Sequence, residues 1–461
     1  MVAVNWGNLS QPVATGPMPT PYEPSLRTPA AVFPASSFGA VGDGVTDDAP
    51  AINAAIAAAA ARGGGRVALD GVTYALGSGM NLFASFVELV GNGWSTVLKP
   101  LAGAQFDVIT TGTIPAANAN NNLQGIVVRD LLIDGSNMTA TTAGQGNAIH
   151  FWGARQSFVR HVLFRHIKNY CVVLEGSLNG GYNDVVDYCE MDSTCAGGVW
   201  AGNGNEANWV MFNELIGCAQ TLAAAQPAFG SQSTTGHAIN YQCGICNTLG
   251  NVFGGGASSG TMNSALYLSN EGHRVLSNRF DGVEGSAIQI GGSGGLAGHT
   301  IVANEFKDSN LVVAGPSIQQ DGGDVTIMGN AWVADSTAHY TYCIQEIAAL
   351  AGNVYANNQF RVAGTAGTLQ INAASTSVAQ HNTGYNPVGH LTTQPTVPAS
   401  GTAYTNTNGV DCTVYIEGGT VTAIAVGGTA TGATSGAFRV AAGQTVTLTY
   451  SAAPTWQWFG D

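Results

Sequence analysis

The chain alternates short apolar runs with stretches rich in Gly, Asn and Ser. One set of runs is Ala148-Ile-His-Phe-Trp152, Cys171-Val-Val-Leu-Glu175, Gly198-Val-Trp-Ala-Gly202, Ala238-Ile-Asn-Tyr-Gln242, Ala265-Leu-Tyr-Leu-Ser269, Ala287-Ile-Gln-Ile-Gly291, Ser317-Ile-Gln-Gln-Asp321, Cys343-Ile-Gln-Glu-Ile347 and Thr368-Leu-Gln-Ile-Asn372. Their first residues lie 23, 27, 40, 27, 22, 30, 26 and 25 apart. The second and fourth residues are mostly Ile, Leu, Val or Phe. Period two predicts strands whose second and fourth side chains point inward and whose third and fifth point outward.

A second marker is an Asn two residues before an apolar one. It occurs at Asn213, Asn251, Asn278, Asn304, Asn330 and Asn358, in steps of 38, 27, 26, 26 and 28. The long first step, like the 40-residue step above, points to an inserted loop at Cys218–Gly236. Two independent markers with nearly one period predict a solenoid, because one short coil cannot bury its apolar face without neighbours. Glu346 and Gln320 fall at inward positions, so the register is expected to slip in the last coils.

The ends read differently. Residues 1–35 hold seven of the 16 prolines and are expected to form an extended arm. The stretch Phe38-Gly-Ala-Val-Gly-Asp-Gly-Val-Thr-Asp-Asp48 precedes an Ala-rich segment ending near Ala61. Asp47 or Asp48 can cap a helix there, with Pro50 in its first turn and Gly63–Gly65 beyond its end. The Asp spacing does not fit a calcium loop. Residues 398–461 alternate at period two between Gly-Gly and Ala-Gly-Gln turns and predict a small antiparallel β domain. The expected divisions are 1–35 (arm), 36–118 (capping helix and first coils), 119–390 (solenoid) and 391–461 (C-terminal domain).

The opening motif at 38–48, the Ala-rich helix and the Asn-marked coils together resemble the pectate-lyase-like superfamily over about residues 36–390. That resemblance implies an all-β fold, a right-handed parallel β-helix with an N-terminal capping helix. The superfamily includes polysaccharide lyases, glycoside hydrolases, epimerases and phage tailspikes, so the likeness implies carbohydrate chemistry without fixing a reaction. The C-terminal segment is similar, more distantly, to terminal modules of phage and bacterial surface β-helix proteins.

Charge narrows the partners. Lys and Arg total 14 against 28 Asp and Glu, a net charge of −14, which argues against nucleic acid. No run approaches the length needed to span a bilayer. The N-terminus lacks a basic segment followed by an apolar one, so no conventional signal peptide is expected. Cys243-Gly-Ile-Cys246 is the single CxxC. It lacks a second ligand pair, so neither metal nor cofactor is expected, and redox chemistry ranks behind plain burial.

Stacking the marked strands aligns their third residues as His150, Val173, Trp200, Asn240, Tyr267, Gln289, Gln319, Gln345 and Gln370. The fifth residues align as Trp152, Glu175, Gly202, Gln242, Ser269, Gly291, Asp321, Ile347 and Asn372. Rings can stack on sugar faces, and amides can both donate to and accept from hydroxyls. The carbohydrate-binding candidates are therefore His150, Trp152, Trp200, Asn240, Tyr267, Gln289, Gln319 and Asp321, with Trp152, Trp200 and Tyr267 expected to be exposed. A hydrated wall of amide ladders is the plainer reading. Catalytic candidates are Glu175, Asp192, Glu206 and Glu271. Asp192 is a possible partner for Glu175. Glu206 and Glu271 follow strands two rungs apart, about 10 Å at strand spacing, at the limit for an inverting pair.

The leading expectation is a phage tail spike or fibre, located in the virion tail. It would be a homotrimer that binds host cell-surface polysaccharide, is attached to other tail proteins through its N-terminal arm and, if it is an enzyme, degrades that polysaccharide by hydrolase or lyase chemistry. The alternatives are a secreted, extracellular bacterial polysaccharide lyase or glycoside hydrolase, and a structural virion decoration protein without catalysis. The C-terminal Trp456, Trp458 and Phe459 are expected to need a covering partner.

Overall fold

A computed structural model describes residues 31–112, 123–139, 146–176, 181–192, 194, 196–202, 204–219, 236–254, 262–291, 297–333 and 339–461. Most of the expected arm, residues 1–30, and most of the inserted loop lie outside the described residues. The last part of the arm belongs to the solenoid, because Val32–Pro34 pairs in parallel with Arg66–Ala68.

The fold is a parallel β-solenoid. Eleven strands stack in one parallel sheet in the order Met80–Asn81, Ile109–Thr110, Ile149–Trp152, Tyr170–Glu175, Gly197–Gly202, Gly236–Gln242, Met262–Leu268, Ser286–Ile290, Ile318–Gln320, Tyr342–Glu346 and Gly367–Gln370. The nine marked runs are nine of these eleven strands. A 23-stranded sheet forms the rest of the wall. In it, two stacks of short strands meet at a sharp corner, which the long strands Val127–Asp134 and Phe158–Arg165 span. Each coil bends there at one left-handed residue, with φ of 58° at Asp130, 53° at His161, 51° at Tyr188 and 56° at Phe212.

The Asn marker occupies the inside of this corner. From Asn251 onward each Asn accepts, through Oδ1, from the backbone N–H and Nδ2 of the Asn one coil earlier, as Asn304 does from Asn278 at 2.8 and 3.0 Å, while Asn213 at the head of the ladder accepts from Cys189 N–H. Its own Nδ2 donates to a buried carbonyl, Val275 O at 3.0 Å for Asn304. A corner leaves backbone groups without strand partners, and the ladder satisfies them. It extends past the six marked positions to Asn382 and Asn386. Two residues after each Asn, the inward side chains form an aromatic stack. Phe253, Phe280, Phe306, Trp332 and Phe360 have centroids 4.7, 5.0, 4.6 and 4.8 Å apart, the spacing of the coils themselves.

The helix spans Ala49–Ala61 and covers the open end with Ala49, Ile52, Ala55, Ile56 and Ala59. The Asp47 carboxylate accepts from Ala49 N–H. Asp48 instead turns back and holds the preceding loop, accepting from Val41 and Gly42 N–H at 2.6 and 3.1 Å. Asp43 is occupied by Val45 and Thr46. Among the described residues, no three His, Cys, Asp or Glu side chains are grouped to hold a metal ion. No described helix is long and apolar enough to cross a membrane.

The expected register slip does not occur. Gln319 and Gln345 stay in register, and Gln320 pairs with Glu346. Inward-facing Glu346 is accommodated chemically. Its Oε1 accepts from Tyr355 Oη at 2.6 Å, Asn353 Nδ2 at 3.2 Å and Ser377 Oγ, and its Oε2 accepts from Asn372 N–H at 3.0 Å. A buried carboxylate with four donors does not need to turn outward.

Residues 389–460 form two four-stranded antiparallel sheets with a separate core. Trp456 and Trp458 are buried in that core, edge-to-face with each other and with Tyr404. Phe459 packs edge-to-face on His390 and Tyr415. The two tryptophans are therefore covered by their own module, and they do not by themselves require a second chain.

Candidate functional site

The outward third-position column runs in one unbroken register: His150, Val173, Trp200, Asn240, Tyr267, Gln289, Gln319, Gln345, Gln370. Its first part is covered. His150, Val173, Trp200 and Asn240 are all at most 3% exposed, although they point away from the solenoid core. Trp200 packs with Tyr170, Val173 and Ala196 in a small cluster of its own. The expectation of an exposed Trp200 is thus corrected. Trp152 and Tyr267 are half-buried, and Gln289, Gln319 and Gln345 line the more open part of the same face.

Glycine makes this packing possible at two points. A Cβ on Gly202 would lie 2.6 Å from the Trp200 ring, and one on Gly291 would lie 2.4 Å from the Tyr267 hydroxyl. The strand sequence Trp-Ala-Gly therefore lets the indole lie flat along its own strand.

At one end of the column, His150 sits between two carboxylates. Its Nδ1 is 2.8 Å from Asp107 Oδ2, and its Nε2 is 3.0 Å from Glu175 Oε2. Burial opposes protonation of His150, but hydrogen bonds to Asp107 and Glu175 outweigh it and raise its pKa to about 9. The ring is then an imidazolium donating to both acids. Asp107 is itself fixed, since its Oδ1 accepts from the backbone N–H and Nδ2 of Asn147, both at 2.9 Å. The Trp152 ring stands edge-on to His150, centroids 5.5 Å apart.

Further along, polarity and burial conflict. Asn240 is fully buried, and its side-chain oxygen and nitrogen make no hydrogen bond of regular geometry. The Tyr170 hydroxyl lies beside it, and the Asn240 amide tempers the rise that burial imposes on the tyrosine's pKa. The indole N–H groups of Trp200 and Trp152 are likewise buried and unbonded. Next to Asn240 on the same strand face, His237 stacks on Tyr267 at 4.9 Å and bonds Ser264 Oγ at 2.7 Å. Burial lowers its pKa to about 3, so it is neutral. Buried polar groups in folded proteins are nearly always paired, so the under-bonded Trp152, Trp200 and Asn240 are groups that hydroxyl or amide partners would satisfy.

The acidic candidates separate. Glu175 belongs to this site. Asp192 lies on the other sheet, in register with Arg165 and Ile216, so the two are not brought together. Glu206 and Glu271 are exposed at the corner after the eleven-stranded sheet, on either side of the Gly244 coil. Asp321 stands at the end of a strand five places from that of Glu175. The carboxyls that do converge are Asp107 and Glu175, with the imidazole occupying the space between them. Sequence reasoning missed Asp107. Extending the strand marker one coil upstream, to Ile109–Thr110 beside Ile149–His150, would have found it.

Comparison with known proteins agrees with this architecture. Residues 32–188 match the family model described as Rhamnogalacturonase A/epimerase, pectate lyase-like. The chain is 40% identical over 114 residues to mannuronan C5-epimerase AlgE3 of Azotobacter vinelandii, which is 23% of this chain and 6% of that protein. It is 41% identical over 106 residues to alginate lyase 7 of the same organism, 22% of this chain and 12% of that one. The chain thus spans a small fraction of these curated relatives. Among solved structures, the Streptococcus pneumoniae surface adhesin PfbA matches 77% of this chain and 96% of its own, with TM-score 0.55 and 17% identity. The tailspike gp49 of Acinetobacter baumannii bacteriophage Fri1, a capsular polysaccharide depolymerase, matches 93% of this chain and 86% of its own, with TM-score 0.55 and 13% identity. At such identities these likenesses establish the fold, a parallel β-helix.

Proposed function

We propose that the protein binds a cell-surface polysaccharide along the outer face of the eleven-stranded sheet, with the chain seated against half-buried Trp152 and from Tyr267 along the glutamine ladder. The observation that carries this reading is the open part of one outer face, where half-buried Trp152 and Tyr267 stand with the in-register Gln289, Gln319 and Gln345. Rings stack on sugar faces, and sugar hydroxyls can bond both ends of an amide. The matches to alginate-modifying enzymes, an adhesin and a capsule depolymerase support a glycan partner.

The finer reading is a trimeric tail spike in a virion, attached through its N-terminal arm. The low fraction of charged residues, 9%, supports self-association. So does the exposed pair Tyr188 and Phe212, stacked at 5.3 Å on the corner of the 23-stranded sheet. Cleavage is the second reading, favoured by the Asp107–His150–Glu175 cluster. As arranged, the imidazole excludes both water and sugar from between the two acids, so they do not form a hydrolytic pair. Binding is therefore ranked ahead of catalysis.

The test is a bacterial glycan array probed with the full-length protein. Reducing-end release and light scattering are measured on the same sample. Specific retention of one polysaccharide family supports the reading. No retention of any acidic or neutral polysaccharide overturns it. Reducing-end release that is lost in Glu175→Gln moves the enzyme reading ahead, and a monomeric mass removes the tail-spike reading.

A further inference from the structure

The strand carrying Asn240 ends at Gln242, and the chain turns immediately through Cys243-Gly-Ile-Cys246 into the next strand, Asn247–Leu249. The two sulfurs of this turn meet, with Cys243 Sγ 3.4 Å from Cys246 Sγ. Seven of the eight cysteines are described, all of them buried and reduced. The turn is rigidly framed. The Cys246 backbone N–H donates to His273 Nδ1 at 3.1 Å, and His273 Nε2 bonds the Ser269 carbonyl at 2.7 Å. Tyr241, just ahead of the turn, stacks on the His273 ring at 5.2 Å. Between the cysteines, Ile245 adopts φ of 59° and is 51% exposed, at the surface of the turn that holds the two buried thiols. A β-branched residue in the left-handed region is costly, and such strain persists only where the surroundings enforce it.

We propose that Cys243 and Cys246 form a reversible disulfide that clasps the corner next to the binding face when the protein meets an oxidising medium. Oxidation removes two hydrogens and two electrons from the pair, and a small disulfide such as oxidised glutathione accepts them. The Cys246 thiolate attacks that disulfide, giving a mixed disulfide and one free thiolate. Cys243 then loses its proton to solvent and attacks the Cys246 sulfur, expelling the second thiolate. The local chemistry suits this order. Burial opposes ionisation of Cys246, and the interactions with Cys243 and His273 together outweigh it, bringing its pKa to about 6. Closing the clasp fixes the end of the strand that holds His237 and Asn240. The proposal does not depend on what that face binds.

The experiment uses the full-length protein, purified under reductant and then incubated with oxidised glutathione. Thiols are counted after denaturation, intact mass is measured, and peptides are mapped. The expected result is loss of two of the eight thiols, a mass lower by two hydrogens, one internally linked peptide containing residues 243–246, and a higher melting midpoint that dithiothreitol reverses. Cys243→Ser should retain the fold and show none of these changes. Eight titratable thiols after oxidation would overturn the proposal. So would a stable glutathione adduct on one cysteine, or a disulfide at any other pair.

Discussion

His150 Nε2 and Glu175 Oε2 lie 3.0 Å apart on neighbouring strands, both cut off from solvent, with Asp107 closing the other side of the ring. The His150 pKa is raised from 6.5 to about 9 in the folded protein. The stability this contributes is therefore complete below pH about 6.5 and is lost as pH rises through about 9. His150→Gln leaves two acids facing an uncharged side chain and should cost about 3–5 kcal/mol at pH 6. The gap between wild type and variant should shrink by about 3 kcal/mol by pH 10. Urea unfolding at the two pH values checks this, and a gap independent of pH would remove the charged-histidine account.

The corner ladder makes a second prediction. Asn304→Ala strips the partner from the Asn278 backbone N–H and Nδ2 and from the Val275 carbonyl. Each unsatisfied buried group costs about 1–3 kcal/mol, so the loss should be at least about 2 kcal/mol. An unchanged thermal midpoint would mean that water replaces the amide.

Glu346→Ala should be among the most destabilising changes in the last coils. It would leave the Tyr355 and Ser377 hydroxyls, the Asn353 amide and the Asn372 N–H without their common acceptor. A loss of about 3–5 kcal/mol is expected. Glu346→Gln keeps an acceptor oxygen and should lose less. Equal losses in denaturant melts would show that packing, and not the hydrogen bonds, sets the cost.

The coil period, the eleven-stranded sheet and the Asn ladder were legible in the sequence because each repeats at every turn of the solenoid, with local residue types sufficient to mark them. Burial on the outer face was not. Trp200 and Asn240 sit at outward positions of a correctly read strand, yet both are covered, because cover comes from residues that do not repeat, such as Tyr170 beside Trp200. Asp107 was missed because it reaches His150 from 43 residues upstream, ahead of a strand too short to carry the marker. Glu346 was misread for the opposite reason. An inward acid signals a register error only where no donors await it, and here four do.

The central claim is that a glycan lies along Tyr267 and the glutamine ladder, and Gln319→Leu tests it most directly. Gln319 is only partly buried, so removing its amide should leave the thermal midpoint nearly unchanged. Calorimetric titration with the polysaccharide retained by the wild-type protein should, in the same variant, show affinity reduced about tenfold or more, the loss of roughly 1.4 kcal/mol or more of binding free energy. A variant that binds the polysaccharide as tightly as wild type would contradict the account.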